Sequence, residues 1–128
     1  MTASPAVNLP WVLEELTRVF ERYEDALIAN DVAVLNELFW DNPLTVRFGI
    51  AEIHHGADAI RSYREHFVPP ANMPRQLHNL VITTFGENFA TADVEFFREG
   101  DPVGRQSQTW VRFTEGWRVV SAHVSMLT

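Results

Sequence analysis

Apolar residues in the first quarter of the chain recur at the spacing of an amphipathic helix. Within residues 10–29 the large ones lie three or four positions apart: Leu13, Leu16, Phe20, Tyr23 and Leu27. Residues at this spacing share one helix face, so the pattern predicts a helix over 10–29 with Tyr23 pointing inward. Pro10 suits its first position, where the N–H that proline lacks is not needed.

Two shorter helical segments follow. Asp31 can cap a second helix, and Asn42-Pro43 ends it, because the residue before a proline disfavours helical backbone. A third helix is predicted over residues 57–67, with Pro69-Pro70 as its stop. Its apolar face would consist of Ile60, Tyr63 and Phe67.

The remainder of the chain has the residue alternation and the turns of β-strands. Two short strands are predicted at 45–48 and around 52–55, and four long ones at 76–85, 89–98, 105–114 and 117–126. Helices followed by hairpin-linked strands predict an α+β fold, in which three helices cover a curved antiparallel sheet and enclose a cone-shaped pocket. At 128 residues, a single domain over 1–128 is expected.

The last hairpin predicts which residues face the pocket. A two-residue turn at Glu115-Gly116 would pair three polar or aromatic residues across the strands, and paired residues share a face. The predicted pairs are Trp110 with Ser121, Gln108 with His123, and Gln106 with Ser125. The opposite face would carry Val111, Phe113, Val120, Ala122, Val124 and Met126. Such an apolar face needs cover, so we expect a homodimer joined through the sheet.

Composition narrows the possible chemistry. The net charge is -7, all ten cationic residues are arginine, and the chain contains neither lysine nor cysteine. These absences exclude Schiff-base and phosphate-loop lysines, thiolate nucleophiles and disulfides. The negative charge makes nucleic acid an unsuitable partner. No secretory signal or membrane-length apolar run occurs, which predicts a cytoplasmic protein without a membrane partner.

Arg47 and Tyr23 each have two interpretations. Arg47 alternates with apolar residues in a short strand; it can be a solvated edge residue or a partner of Glu52 across the hairpin. Alternatively, its guanidinium binds the carboxylate of an acidic substrate through two parallel N–H bonds. Tyr23 can be a core residue with a satisfied hydroxyl. If Tyr23 meets Arg47 in the pocket, the cation favours the phenolate and makes the hydroxyl a usable acid or base.

The histidines and acids leave further alternatives open. His123 can be a general base or a hydrogen-bonded core histidine. The adjacent His54 and His55 point to opposite faces of a strand and cannot chelate one metal together, so we predict no metal. Nucleotide and nucleophilic-serine motifs are missing, and no cofactor is expected. An isomerase or dehydratase would need an acid or a histidine in the pocket; Asp93 and Glu95 lie in the second long strand, on faces that the pattern does not assign.

Three groups of residues carry a family resemblance. The first runs from Phe39-Trp40 through Thr45-Val46-Arg47-Phe48-Gly49 to Glu52. The second is Gly56 with Ile60-Arg61, and the third is residues 104–110 with 116–125. Together they resemble AtzH-like and HpxZ-like proteins over nearly the whole chain. That family belongs to the nuclear-transport-factor-2-like (SnoaL-like) superfamily, whose fold is a cone of curved sheet and three helices.

The resemblance implies a hydrolase of nitrogen-compound catabolism, linked to amidases of cyanuric acid or oxalurate breakdown. The implied reaction converts 1,3-dicarboxyurea to allophanate and needs a tyrosine on the first helix and an arginine on the first strand, positions that Tyr23 and Arg47 match. The substrate-binding residues, taken from the predicted pocket face of the last hairpin and not from the resemblance, would be Gln108, Trp110, His123 and Ser125. The alternative is a non-catalytic protein that binds a small anionic intermediate for a partner amidase.

Overall fold

A computed structural model describes residues 3–68 and 74–128, and three helices precede the long strands in them. The helices are α1 (Pro10–Ala29), α2 (Val32–Leu38) and α3 (Ala57–His66). α1 has the predicted bounds, begins with Pro10, and ends at Asn30 in left-handed backbone with φ 51°. Asp31 caps α2 as predicted, since its carboxylate accepts a 3.2 Å hydrogen bond from the Val34 N–H.

The two shorter helices end before their predicted stops. α2 does not reach Asn42-Pro43, because Phe39 takes extended backbone and forms a parallel bridge with Val119 of the last strand. α3 ends at His66, and Phe67 is extended. Pro69-Pro70, the predicted stop, lies outside the described residues.

Six strands of the described chain form one curved sheet in the order β2-β1-β6-β5-β4-β3. Their bounds are β1 Val46–Phe48, β2 Ile53–His55, β3 Gln76–Phe85, β4 Phe89–Phe97, β5 Gly104–Phe113 and β6 Gly116–Met126. The α+β fold is as predicted, but the sheet is mixed, because β1 runs parallel to β6 while the other neighbouring pairs are antiparallel. No hairpin joins β1 to β6, so turn geometry does not impose an antiparallel direction on this pair.

The helices cover one face of the sheet, which we call the inner face. Leu16 and Phe20 of α1 are fully buried in one cluster with Ala90, Ala92 and Trp110 of the sheet. Burying each such large apolar side chain contributes about 1.5–3 kcal/mol. This packing fixes α1 over the strands, and it thereby fixes the inward position of Tyr23.

The predicted register of the last hairpin is wrong, by two residues next to the turn and by one residue beyond a bulge. The turn lies one position earlier, with Phe113 opposite Gly116, and Val120 is an extra residue between the pairs Trp110–Val119 and Thr109–Ser121. A bulge of this kind shifts the pairing, and a one-residue shift exchanges the two faces of a strand. Beyond the bulge the inner-face pairs are Gln108–Ala122 and Gln106–Val124.

Candidate functional site

A cavity of about 240 Å³ lies between the helices and the inner face of the sheet. Its walls include four arginines that come from different elements: Arg47 on β1, Arg64 on α3, Arg75 before β3 and Arg98 after β4. Aromatic rings fill the space between these cations. The cavity is therefore a small, strongly cationic pocket inside a protein whose net charge is -7.

Tyr23 and Arg47 both line this cavity. Tyr23 is 3% exposed and packs edge-on against Trp110, with 6.3 Å between the ring centroids. Arg47 is 8% exposed, so it is not a solvated edge residue. The two groups interact electrostatically across the cavity. Both side chains thus line the same cavity, which the acid–base interpretation of Tyr23 required.

Arg47 is held from two sides. His54 lies directly opposite it on β2, with 3.4 Å between Arg47 Nη1 and His54 Nδ1, and the Tyr63 ring lies 4.7 Å from the guanidinium carbon. Burial and the nearby charge of Arg64 lower the pKa of Arg47. An arginine guanidinium nevertheless stays protonated in proteins, so the group is cationic at neutral pH. Burial and Arg47 likewise lower the pKa of His54, which favours the neutral imidazole.

Glu52 and Tyr63, which are hydrogen-bonded to each other, lie near Arg47. Burial raises the pKa of Glu52, but the Ala51 N–H, the Tyr63 hydroxyl and the Arg47 charge outweigh it and hold the pKa below its usual value. Burial and the hydrogen bond to Glu52 raise the pKa of Tyr63. Gly49 leaves room for this arrangement, because a Cβ there would overlap the Glu52 carboxylate and lie 2.9 Å from Arg47 Nη1.

Arg64 is a second buried cation beside Arg47. Its residue is 5% exposed, and its guanidinium carbon lies 5.6 Å from the centre of the Phe39 ring and 5.9 Å from that of Tyr63. Its Nε and Nη2 have no hydrogen-bond partner among residues 3–68 and 74–128. A buried charged donor without an acceptor costs free energy, which a bound anion would recover.

The opposite wall contains Arg75, whose charge is neutralised by a carboxylate of the same chain. Arg75 binds both carboxylate oxygens of Glu24 on α1, and its Nη2 donates a 3.0 Å hydrogen bond to Gln106 Oε1. The Phe96 ring lies 4.5 Å from the Arg75 guanidinium carbon and 5.4 Å from that of Arg98. Gly104 makes this possible, since the Phe96 ring occupies the space that a Cβ at this position would take.

The four remaining predicted site residues lie two on each face of the sheet. Gln108 and Trp110 are buried on the inner face, where Trp110 Nε1 donates a 3.1 Å hydrogen bond to Gln108 Oε1, although neither is among the residues that line the cavity. The prediction that His123 and Ser125 face the pocket is wrong. Because of the bulge at Val120, they pair with Ser107 and Arg105 on the outer face.

The outer face also takes two acids that the sequence left unassigned. Asp93 and Glu95 pair with Ser107 and Arg105 on that face, so these acids of β4 point away from the cavity. His123 is exposed and lies edge-on to Phe48, with 5.6 Å between ring centroids. Neither acid nor His123 is therefore available as a base for a ligand in the cavity.

Residues 3–68 and 74–128 hold no group of three or more His, Cys, Asp or Glu side chains placed to bind a metal ion. The helices formed by these residues include none with the length and apolar character needed to cross a membrane.

Comparison with known proteins assigns the fold and the family. The sequence model of the AtzH-like family matches residues 5–128. The chain belongs to the AtzH-like family. This agrees with the resemblance carried by the residues around Arg47 and by the last two strands. A comparison of this AtzH-like protein with curated proteins gives no match.

Solved structures support the same assignment for the AtzH-like protein. A protein with unknown function from Pectobacterium atrosepticum is 50% identical, with 95% of each chain covered and a TM-score of 0.91. A cystatin-like fold protein from Burkholderia xenovorans is 46% identical over 97% of this chain and 98% of its own, with a TM-score of 0.92. A nuclear transport factor 2-like superfamily protein from Salmonella enterica is 22% identical over 91% of this chain and 92% of its own, with a TM-score of 0.74, and shows the fold alone.

Sequence reasoning missed three of the four arginines that line the cavity of this AtzH-like protein. Two of the missed residues had a local signal: Arg64 lies four positions after Ile60 on the buried face of α3, and Arg98 continues the inward alternation of β4. The pair of Glu24 with Arg75 had none, because the two residues are 51 positions apart.

Proposed function

We propose that this protein hydrolyses a small carboxylated urea, such as 1,3-dicarboxyurea, to allophanate, in the breakdown of cyanuric acid or, with a related substrate, of oxalurate. The observation that supports this most is the juxtaposition of the Tyr23 hydroxyl and the Arg47 guanidinium in one buried cavity. The family resemblance implies roles for the same two residues, and the chain belongs to the AtzH-like family.

The binding step follows from charge. Four guanidinium groups line the cavity, and two carboxylates, Glu24 and Glu52, lie among them. Excess buried positive charge favours a small anion, and a guanidinium matches a carboxylate through two parallel N–H bonds. Arg47 binds the carboxylate that is to be removed, with Arg64 beside it.

The chemical step needs water and one proton shuttle. A terminal C–N bond of the substrate breaks: the carboxyl carbon takes a hydroxide from water and leaves as hydrogencarbonate, while the nitrogen takes a proton and becomes the amino group of allophanate. Tyr23 gives that proton to the nitrogen and regains one from the attacking water. Arg47 stabilises the negative charge that develops on the carboxyl oxygens.

A second candidate function uses the same cavity without turnover. A protein that captures a small anionic intermediate and delivers it to a partner amidase would need the cationic walls but not the Tyr23 hydroxyl. The buried, unpartnered nitrogens of Arg64 favour tight binding in either case, within the part of the chain that is described. Turnover separates the two candidates.

The test is the formation of allophanate from freshly prepared 1,3-dicarboxyurea, measured by mass spectrometry against the reaction without protein. We expect Tyr23→Phe, which removes one hydroxyl from a packed ring, to lower kcat about 100-fold or more, as loss of a general acid does. Arg47→Gln should lower kcat and raise KM, because it acts on both binding and charge stabilisation.

Arg105→Gln is the matched control, since Arg105 lies exposed on the outer face of β5. It should keep wild-type kinetics. Full turnover by a folded Tyr23→Phe variant would exclude Tyr23 as the proton donor. Stoichiometric binding by the wild type, with no allophanate above background, would instead establish the binding protein.

A further inference from the structure

The cavity has more cationic than anionic side chains: four arginines line it, and two carboxylates, Glu24 and Glu52, lie among them. Arg75 is neutralised by Glu24, and Arg47 has Glu52 in its vicinity. Arg47, Arg64 and Arg98 make no ion pair within residues 3–68 and 74–128. Asp101 attracts Arg98 but is not among the residues that line the cavity. The cavity therefore has an excess of two positive charges, which one monoanion would leave half compensated.

Arg98 lies on the wall opposite Arg47. It follows β4 directly and continues the inward alternation of Val94 and Phe96, so its side chain reaches the cavity. β1 and β4 are separated by β6 and β5. With strands roughly 4.8 Å apart, β1 and β4 are about 14 Å apart across the sheet. Along β4, Arg98 lies six residues beyond Ala92, which is the residue level with Arg47. Their guanidinium groups thus enter the cavity from opposite sides.

Unused donors accompany Arg98. Its Nε and the Nε2 of Gln106 are buried and have no hydrogen-bond partner among the described residues. Gln106 is turned toward this end of the cavity by the Arg75 N–H that its Oε1 accepts. The ring of Phe96 supports the Arg98 guanidinium from below. Unpartnered buried donors at one place are the arrangement that an anionic acceptor satisfies.

We propose that Arg98, together with the side-chain amide of Gln106, binds a second carboxylate, so that the cavity selects small dianions over monoanions of the same shape. This specificity deepens the proposed function and rests on it for the carboxylate at Arg47. Arg98 is then a specificity-determining residue at the non-reacting end of the ligand. Arg64, a neighbour of Arg47, serves the reacting end.

The test separates binding from turnover by using ligands that cannot react. Glutarate has three atoms between its carboxyl carbons, as a urea carboxylated on both nitrogens has, and monomethyl glutarate differs by one negative charge. Both are titrated into the full-length protein by calorimetry. We expect the wild type to bind glutarate at least tenfold more tightly than the monoester.

Variants assign that preference to one side chain. Arg98→Gln should reduce the preference to about twofold or less by weakening glutarate alone. Arg98→Lys should keep a clear preference, because it keeps the charge. Arg64→Gln should weaken the binding of both ligands to a similar degree and leave the ratio of their affinities unchanged. Arg105→Gln on the outer face should change neither affinity.

Equal binding of the diacid and the monoester by the wild type, or an unchanged ratio in Arg98→Gln, would overturn the proposal. An equal fall of the ratio in Arg98→Gln and Arg64→Gln would also refute it, because the preference would then come from the overall charge of the cavity. If Arg98→Gln does not fold, Arg98→Lys and the wild-type ratio still decide. A protein that prefers glutarate but never forms allophanate would contradict only the proposed hydrolysis.

Discussion

Among single residues, His54 makes the surroundings of Arg47 sensitive to pH. It is 9% exposed and is surrounded by Arg47, Arg64, Tyr63 and Glu52. Burial and the charge of Arg47 hold the pKa of His54 below its ordinary value of 6.5, although Glu52 opposes them. The neutral imidazole can accept a hydrogen bond from Arg47 Nη1, whereas the imidazolium would repel it.

This residue should make the folded state less stable in mild acid. Because the pKa is lower in the folded than in the unfolded chain, the folded state binds fewer protons, and stability rises with pH between the two values. The contribution of His54 is complete above pH 6.5 and is lost as the pH falls through the folded-state value. Urea unfolding of the wild type and of His54→Gln at several pH values between 7.5 and 5 should show a shallower decline for the variant.

His55→Gln provides the control for this measurement. His55 is the next residue in β2 but is exposed on the outer face against Phe48. Its loss should leave the decline as steep as in the wild type. A decline that is equally steep in His54→Gln would show that other groups cause the acid sensitivity.

Among the elements, strand faces decide which residues reach the pocket. Local patterns sufficed for the existence of the helices and strands, since apolar spacing and glycine-containing turns specify them. They did not suffice for the last hairpin, where the bulge at Val120 reverses the faces of His123 and Ser125. A bulge residue needs no special side chain, so the sequence around Val120 carries no signal for it. The inward position of Tyr23 was predictable from the apolar spacing of α1. That of Arg47 stayed open, because β1 has only three residues and its two apolar ones lie on the other face.

The Phe96 ring, which packs against Arg75 and Arg98, leads to a prediction for Gly104 of β5. Gly104 faces the buried ring of Phe96, and a Cβ at this position would overlap that ring. Gly104→Ala should therefore destabilise the protein by about 1–3 kcal/mol, as overpacking of a core does, and it should weaken glutarate binding by displacing the ring under Arg98. Urea unfolding and calorimetry measure the two effects.

A double-mutant cycle tests the cause. Phe96→Leu makes room for the new methyl group, so Gly104→Ala should cost less stability in that background than in the wild type, which appears as a coupling free energy. Strictly additive effects would mean that the Phe96 ring is not what excludes a side chain at Gly104. Gly49→Ala is an informative comparison, because its Cβ would meet the mobile ends of Glu52 and Arg47 rather than a packed ring.

For the molecule as a whole, the net charge is negative, whereas the cavity is lined by positive charge. Seventeen acidic residues outnumber ten arginines, yet four of those arginines line one cavity. The surface field repels large polyanions, whereas buried guanidinium groups act at short range on an anion small enough to enter. Size and charge thus select together, which suits a diacid of a few carbon and nitrogen atoms better than a nucleotide or a nucleic acid.

The outer face of the sheet bears on assembly. The register correction moves Ala122 and Val124 from this face to the inner one, so the predicted apolar surface on β5 and β6 is smaller than expected. Exposed apolar side chains nevertheless occur elsewhere on the same face: Phe48 at 38%, Ile53 at 73%, Val81 at 55% and Phe89 at 42% exposure. We propose that a second copy of the chain covers this face in a homodimer.

Sedimentation velocity at micromolar concentration tests the dimer. The wild type should sediment with about twice the 14.7 kDa mass of one chain. Val111 lies on the outer face of β5, near the middle of the sheet, and Val111→Arg would bring two like charges together across a two-fold interface, so it should sediment as a monomer. Leu44→Arg changes an apolar residue that is 75% exposed outside the strands and should remain dimeric. A monomeric wild type would contradict the proposed dimer. The cavity is formed within one chain, so glutarate binding does not depend on the outcome of this test.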